Sequence, residues 1–526
     1  MDRCSVTLVA RRAAALFSLA LAALTAACAT LAPVELTPSH ALPVDRNDGL
    51  GRIAADSVPS GSALRALPMA AHALDARLAL IERARHSIDL QVYLLHDDAA
   101  GQRVARALRD AAARGVRVRT LIDDLYSAEN RDLLLGLAAH PNVEVRLFNP
   151  FAAGRSLVLA RYAMSLFDFA RVNHRMHNKL LVVDGAFAVA GGRNIGDEYF
   201  RRGKDGNFVD FDLLLAGEVV PELAAIFDRY WNSAHVRPLH SLEVADESLE
   251  ALRARFEQHG APHDDATAVR PTTPDTDPLG QRALSLDLEQ APLRLTAGRV
   301  QALADDPDKV GGRVPPERSV TAWFVGAVGA AQTRVTLVSP YFVPGERGLA
   351  VLRQARERGV QIELVTNTVA ANDEPLVGAA YARYRKTLLQ MGVTIHEVGS
   401  GQLKTVRLFR DALGASTGRS HAKLTIIDGR QVFVGSMNMD PRSARENTEL
   451  GLLVDSPELA AQAQQVLDLL RAGATYRLRL DASGERVQWL GLDAGRETVH
   501  DDDPELKPAT RLKLNLLSPL IPEGLL

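Results

Sequence analysis

One short pattern occurs twice in the chain, and it restricts the architecture more than anything else in the sequence: His177-x-Lys179 followed by Asp184, and His421-x-Lys423 followed by Asp428. The copies lie 244 residues apart, and each runs into a second apolar stretch that ends in small residues and an asparagine, Gly191-Gly192-Arg193-Asn194 and Gly435-Ser436-Met437-Asn438. A repeat of this kind reads as one site assembled from two halves. The runs Met176–Val183 and His421–Ile427 have strand composition, so residues two apart share a face and each histidine projects beside its lysine. Asp184-Gly185 and Asp428-Gly429 then read as hairpin turns, and the small residues behind them as places where a ligand approaches the backbone. Imidazole attacks phosphorus or shuttles a proton near neutral pH, ammonium groups neutralise nonbridging oxygens, and asparagine amides donate hydrogen bonds without adding charge. The inventory suits transfer at a phosphodiester. Asp184 and Asp428 are candidates by their place in the pattern, although each precedes a turn glycine and falls on the opposite strand face from the histidines.

The duplication extends beyond the motifs. Arg85–Tyr93 alternates as a strand, a helix follows through Ala105–Ala113, and Arg117–Ile122 is again a strand; Thr333–Tyr341, a helix near Leu349–Arg356 and Gly359–Val365 repeat the order. Strand-helix-strand units of this type predict α/β lobes with helices flanking a largely parallel sheet, and Gly115 and Gly359 are suited to closing the helices. The chain is long enough, at 526 residues, for two sizeable cores. The expectation is therefore an α/β fold of two similar lobes, residues 60–240 and 318–475, with the active site at their interface. A Pro-, Thr- and Asp-rich linker or mobile loop is expected over 258–290, and a C-terminal extension over 476–526.

The two His-Lys-Asp runs, with Asn194 and Asn438 behind them, resemble the paired HKD motifs of the phospholipase D superfamily. The flanks Arg193–Phe200 and Asn438–Ser443 resemble its bacterial cardiolipin synthase C-like branch, over roughly residue 60 to the C-terminus. The resemblance implies two such α/β lobes and a phosphatidyltransferase with a phosphohistidine intermediate, acting on phospholipids and making cardiolipin from phosphatidylglycerol and a second phospholipid. His177, Lys179, His421 and Lys423 would be catalytic, with Asn194 and Asn438 on the phosphate. The resemblance further implies a carboxylate behind each histidine, at Asp210 and Glu449. Asp212 competes with Asp210, because matching the strand ends at Gly217 and Ser456 favours one register and matching the later Pro-Glu-Leu runs favours the other. His177 is taken as the nucleophile and His421 as the acid and base. A hydrolytic phosphodiesterase would use the same residues, and a non-catalytic envelope lipoprotein would keep only the fold.

Composition narrows the partners. A formal net charge of -3 gives no electrostatic reason for a nucleic-acid partner. Fourteen histidines form no Cys/His ligand spacing, so neither a metal nor another cofactor is expected, and His174 beside the first motif reads as structural. Arg3, Arg11 and Arg12 precede an apolar run from Ala13 to Leu24 and then Thr25-Ala26-Ala27-Cys28, the layout of an export signal over residues 1–27 with Cys28 as a lipidation site. The protein is thus expected at a membrane in a bacterial cell envelope, with the choice of membrane, and of any protein partner, left open. Cys4 would leave with the signal, and the mature chain would have no disulfide.

Overall fold

The computed structural model describes residues 31 and 34–517, apart from 153, 156–159, 162–163, 166–167, 204–205, 244–246, 260–274, 405–416 and 494–495. The expected export signal and Cys28 lie outside the described residues.

The first half contains β1 (Ser62–Leu67), α1 (Ala70–Arg83), β2 (Ser87–Val92), α2 (Ala99–Ala113), β3 (Arg117–Asp123), β4 (Val143–Phe148), β5 (Leu180–Val183), β6 (Phe187–Gly191), β7 (Gly206–Val209), β8 (Asp212–Gly217), α3 (Val219–Trp231), β9 (Val236–Pro238) and β10 (Thr296–Ala297). The second contains β11 (Arg299–Ala304), β12 (Arg334–Val338), α4 (Gly345–Glu357), β13 (Gln361–Asn367), α5 (Pro375–Ala382), β14 (Thr394–Val398), β15 (Thr417–Ser420), β16 (Leu424–Ile427), β17 (Gln431–Gly435), β18 (Leu450–Asp455), α6 (Pro457–Arg471), β19 (Thr475–Leu480), β20 (Val487–Asp493) and β21 (Arg496–His500). Nine strands form one sheet in the order β10-β1-β8-β6-β5-β2-β3-β4-β9, and ten form another in the order β11-β18-β17-β16-β12-β13-β14-β19-β20-β21. Position by position, β1-β8-β6-β5-β2-β3-β4-β9 repeats as β11-β18-β17-β16-β12-β13-β14-β19, so the sequence duplication is a duplication of topology.

Each sheet is mixed rather than largely parallel. Only β2–β3–β4 and β12–β13–β14 run parallel. The hairpins β5–β6 and β16–β17 turn the rest of each sheet antiparallel. The strand-helix-strand pattern covers only the opening of each half, which is why parallel pairing was overestimated. Helices end where expected: Gly115 and Gly359, just past α2 and α4, take φ values of 94° and 89°, a left-handed conformation that costs glycine little. The first turn of α2 is closed by Asp98, which accepts from the Gly101 N–H at 2.9 Å.

Between the sheets lies a shared core. Leu64, Val182, Ala188 and Leu213 from the first sheet meet Val338, Val365, Ile426, Val434 and Leu452 from the second, together with Phe227 and Trp231 of α3 and Leu459, Ala463 and Leu467 of α6. Each outer face has its own core, built on α1 and α2 in one half and on α4 in the other. Burying such apolar side chains contributes roughly 1.5–3 kcal/mol each, which favours keeping the two halves together.

Two boundary expectations change. Within the expected linker, Leu284 and Leu288 are buried against the first half. Arg65 donates to Gln281 Oε1 and Asp287 Oδ2, both at 2.7 Å, and the Ser285 N–H donates to Asp75 at 2.9 Å. The polar stretch before it hid that apolar pair. Likewise, the expected C-terminal extension is not an appendage, because β19–β21 carry on the second sheet.

Candidate active site

Neither histidine sits inside a long regular strand. His177, Asn178 and Lys179 precede β5, and His421, Ala422 and Lys423 lie between β15 and β16. Each histidine segment is extended but pairs with the other half of the molecule. The His177 N–H donates to the Thr448 carbonyl at 2.9 Å, and the His421 N–H donates to the Val209 carbonyl at 2.8 Å. β15 runs parallel to β7, forming a two-stranded sheet that belongs to both halves.

This exchange brings each histidine to a carboxylate of the opposite half. Glu449 immediately follows Thr448, and Asp210 immediately follows Val209. His177 Nδ1 lies 3.0 Å from Glu449 Oε2, and His421 Nδ1 lies 2.7 Å from Asp210 Oδ2. A carboxylate on Nδ1 puts the proton there and leaves the Nε2 lone pair available. Of the two candidates, Asp210 and not Asp212 lies against the His421 imidazole. Between β7 and β8 the chain is irregular at Asp210-Phe211, where it passes from the two-stranded sheet to its own nine-stranded one. Asp212, beyond the break, is buried between Arg77 at 3.0 Å and Arg193 at 3.1 Å.

The glycines behind the motifs do a different job from the one expected. A Cβ on Gly192 would come within 2.2 Å of Asp210 Oδ1, and one on Gly435 within 2.3 Å of the Leu450 carbonyl. They admit the carboxylate-bearing strand rather than a ligand. At the position matching Gly192 stands Ser436, whose hydroxyl hydrogen-bonds Glu449. Ser443 does the same at 2.8 Å and also accepts from the Asn438 N–H at 3.1 Å. The Glu449 N–H donates to Asp305 at 3.0 Å.

Both lysines are buried with their ammonium groups turned back toward the histidines. Lys179 Nζ donates to the His177 carbonyl at 2.6 Å; Lys423 Nζ donates to the His421 carbonyl at 2.7 Å and lies 2.8 Å from His421 Nε2. Asn194 donates to the Tyr199 hydroxyl at 2.9 Å, and the side-chain carbonyl oxygens of Asn194 and Asn438 are buried without a hydrogen-bond partner among the described residues. Aromatic rings brace the imidazoles: Tyr93 meets His177 edge-on at 5.2 Å, while Tyr199 and Phe208 flank His421 at 5.3 and 4.7 Å.

The electrostatics describe a site waiting for an anion. Burial and the neighbouring Lys179 push His177 down to about 4, and burial with Lys423 pushes His421 well below its ordinary value. Burial also pulls Lys179 well below the usual lysine range and Lys423 down to about 8. Glu449 is held at about 2, because His177, Lys179 and Ser436 outweigh the burial that would raise it; burial raises Asp210. A phosphodiester placed among these groups would favour the charged forms of the lysines and the histidines.

The third motif residue is elsewhere. Seven residues of extended chain put Asp184 about 20 Å from His177. Its carboxylate accepts from the backbone N–H groups of Arg85, His86 and Ser87 at 3.0, 2.8 and 2.9 Å. Asp428 likewise accepts from Gln332, Thr333 and Arg334 at 2.9, 2.7 and 3.0 Å. Both have positive φ, 53° and 54°, on the turns that start the hairpins. The pair placed among the catalytic candidates thus tie the hairpin turns to the starts of β2 and β12. His174, as expected, is taken up by structure, 2.6 Å from Glu446 across the interface. Sequence reasoning missed Ser436, Ser443, Tyr93, Tyr199 and Phe208; only Ser436, two residues before Asn438, was within reach of the motif.

The family described as cardiolipin synthase, PLD-like domain, matches residues 78–231 and 325–470, one copy in each half. Cardiolipin synthase C of Escherichia coli (strain K12) is 37% identical over 469 residues, spanning 89% of this chain and 97% of that protein. An uncharacterized protein of Helicobacter pylori (strain ATCC 700392 / 26695) is 31% identical over 88% of this chain and 89% of its own length. The crystal structure of phosphatidylserine synthase from Haemophilus influenzae Rd KW20 superposes with a TM-score of 0.54 at 15% identity, covering 87% of this chain and 93% of that one, which is a likeness of fold.

Proposed function

The chain belongs to the phospholipase D-like cardiolipin synthase family, and from that premise we propose that this phosphatidyltransferase joins two phospholipids into cardiolipin, using the crossed histidine–carboxylate pairs as its catalytic groups. The observation that carries the reading is the pair of Nδ1–carboxylate contacts, 3.0 Å at His177 and 2.7 Å at His421, each made across the interface.

His177, neutral and oriented by Glu449, attacks phosphorus through Nε2. The bond from phosphorus to the departing alcohol breaks as His421 delivers its proton to that oxygen, leaving a phosphatidyl group on His177. The hydroxyl of phosphatidylglycerol then gives its proton to His421, its oxygen bonds to phosphorus, and the N–P bond breaks. Lys179 and Lys423 neutralise the phosphoryl oxygens and the Asn194 and Asn438 amides donate to them through both steps. His421 carries its proton only once the anionic phosphodiester offsets the two lysines, so substrate binding itself charges the acid.

A lipid substrate places the protein at a membrane. Among the described residues no helix is long and apolar enough to cross one, and attachment through a lipidated Cys28 in a bacterial envelope supplies the contact.

Lipid mass spectrometry of vesicles containing phosphatidylglycerol and phosphatidylethanolamine tests this. Cardiolipin formed by the native protein and not by a His177→Ala, His421→Ala double variant is the expected result. Phosphatidic acid as the sole product would replace the transferase by a hydrolase.

A further inference from the structure

The surroundings of the two histidines differ at one place the mechanism above does not use. Beyond the C-terminal end of β3, in the first half, Asp124 is buried and taken up by Arg155 at 2.8 Å, by the Phe151 N–H at 2.8 Å and by the Ser127 hydroxyl. Beyond the equivalent end of β13, the loop from Thr368 to Glu374 carries Asp373. One of its oxygens, Oδ2, accepts from the Tyr341 hydroxyl at 2.8 Å, while Oδ1 is buried with no hydrogen-bond partner among the described residues. The residue as a whole is partly exposed. This loop lies on the His421 side: Asn367, at the end of β13, donates to the Ser420 carbonyl and accepts from the Ser420 N–H, both at 2.8 Å, and Ser420 directly precedes His421; in keeping with that place, the charge of Asp373 raises the proton affinity of His421 and of Lys423.

Resting on the transferase reading, we infer that Asp373, oriented by Tyr341, accepts a hydrogen bond from a second hydroxyl of the polyhydric alcohol whose first hydroxyl is deprotonated by His421, and so selects a glycerol-type acceptor over water or a simple alcohol. The open oxygen is an acceptor without a donor, and leaving such a group unsatisfied in a buried place is costly. A vicinal diol supplies that donor while its neighbouring oxygen faces the phosphorus. Hydrogen bonds to a charged acceptor are among the stronger ones, so the preference they create is about tenfold or more.

The test separates the acceptor from the donor. A synthetic phosphatidyl-p-nitrophenol donor has a leaving group with no second hydroxyl, and p-nitrophenol release reports the first step and correct folding. Phosphatidylglycerol and ethanol then compete for the phosphatidyl group, with both transfer products and phosphatidic acid measured by lipid mass spectrometry. Asp373→Asn keeps an oxygen for Tyr341 and turns the open acceptor into a donor. The ratio of transfer onto phosphatidylglycerol to transfer onto ethanol falls about tenfold or more in Asp373→Asn, and by less in Tyr341→Phe. A ratio unchanged in Asp373→Asn, with both transfers reduced together, overturns the inference and leaves Asp373 an electrostatic neighbour of His421. Native protein that releases p-nitrophenol but gives only phosphatidic acid overturns the transferase reading as well.

Discussion

His177 and His421 occupy matching places in sheets of matching strand order, yet the carboxylates behind them are held in different ways. Glu449 receives two serine hydroxyls, from Ser436 and Ser443, besides the imidazole. Asp210 has a glycine where Ser436 stands, and among the described residues its carboxylate also accepts from the Phe211 N–H at 2.7 Å. The first carboxylate is locked as an anion at about 2, the second is raised by burial. A permanently ionised partner fixes the tautomer of a histidine that must stay neutral and attack. A carboxyl closer to sharing its proton suits a histidine that must take up and release one. Duplication supplied two similar halves, and on the proposed mechanism the serine-for-glycine difference would help divide the labour between them.

The division breaks most visibly if the histidines prove interchangeable. His177→Ala removes the nucleophile, and transfer falls by at least about 10,000-fold with any donor. His421→Ala costs about 100- to 10,000-fold with a natural head group. Most of that loss is recovered with a p-nitrophenol donor, whose leaving group needs no proton. Equal recovery in both variants, measured by p-nitrophenol release, would mean that the two histidines exchange roles.

The carboxylates sharpen the same comparison at smaller scale. Glu449→Gln removes the charge from a fully hydrogen-bonded position and lets the amide reorient against Ser436 and Ser443, so the loss is on the order of 100-fold or more. Asp210→Asn, lifting a charge that burial already disfavours, costs less. Steady-state rates on one donor decide it, and a larger loss in Asp210→Asn would place the nucleophile at His421.

Acid stability gives a readout independent of turnover. His177 is neutral in the folded protein down to about 4, whereas the unfolded chain takes up that proton near 6.5. The unfolded state therefore binds more protons between those values, and stability declines as pH falls from about 6.5 toward 4, by about 3 kcal/mol from this one group. Denaturant unfolding at several pH values should show this slope reduced in His177→Gln. A phosphodiester analogue should flatten it in the native protein, because the anion lets the histidines protonate in place.

Much of this was legible in the chain because repetition is a signal that survives without contacts. Two His-x-Lys runs, two asparagines and two strand-helix-strand openings located both lobes and most of the site. The crossing of the carboxylates was not legible: Asp210 and Glu449 could be matched to strands, but which histidine each serves depends on the pairing of β7 with β15 and of Thr448 with the His177 segment. The rival Asp212 shows the limit well. Two sequence registers competed, and only the passage of the chain between sheets at Asp210-Phe211 separates a carboxylate on His421 from one neutralised by Arg77 and Arg193. Asp373 was invisible for the same reason, since its partner Tyr341 is supplied by another segment.

The aspartates that complete the motif give the smallest effect on catalysis and the clearest separation of motif membership from chemistry. Asp184 and Asp428 each hold three backbone N–H groups at the start of a central strand, but Asp184 is buried and Asp428 largely open to solvent at its contacts. Asparagine tolerates the positive φ at both positions, so the substitution removes charge without adding backbone strain. Asp184→Asn weakens three charge-assisted bonds in a buried place and lowers stability by about 1–3 kcal/mol. Asp428→Asn, screened by water, loses less. In both variants kcat on the p-nitrophenol donor stays at the native level once the protein is folded. A tenfold drop in kcat in Asp184→Asn without a matching fall in stability would return this residue to the reaction and dissolve its distinction from the histidines.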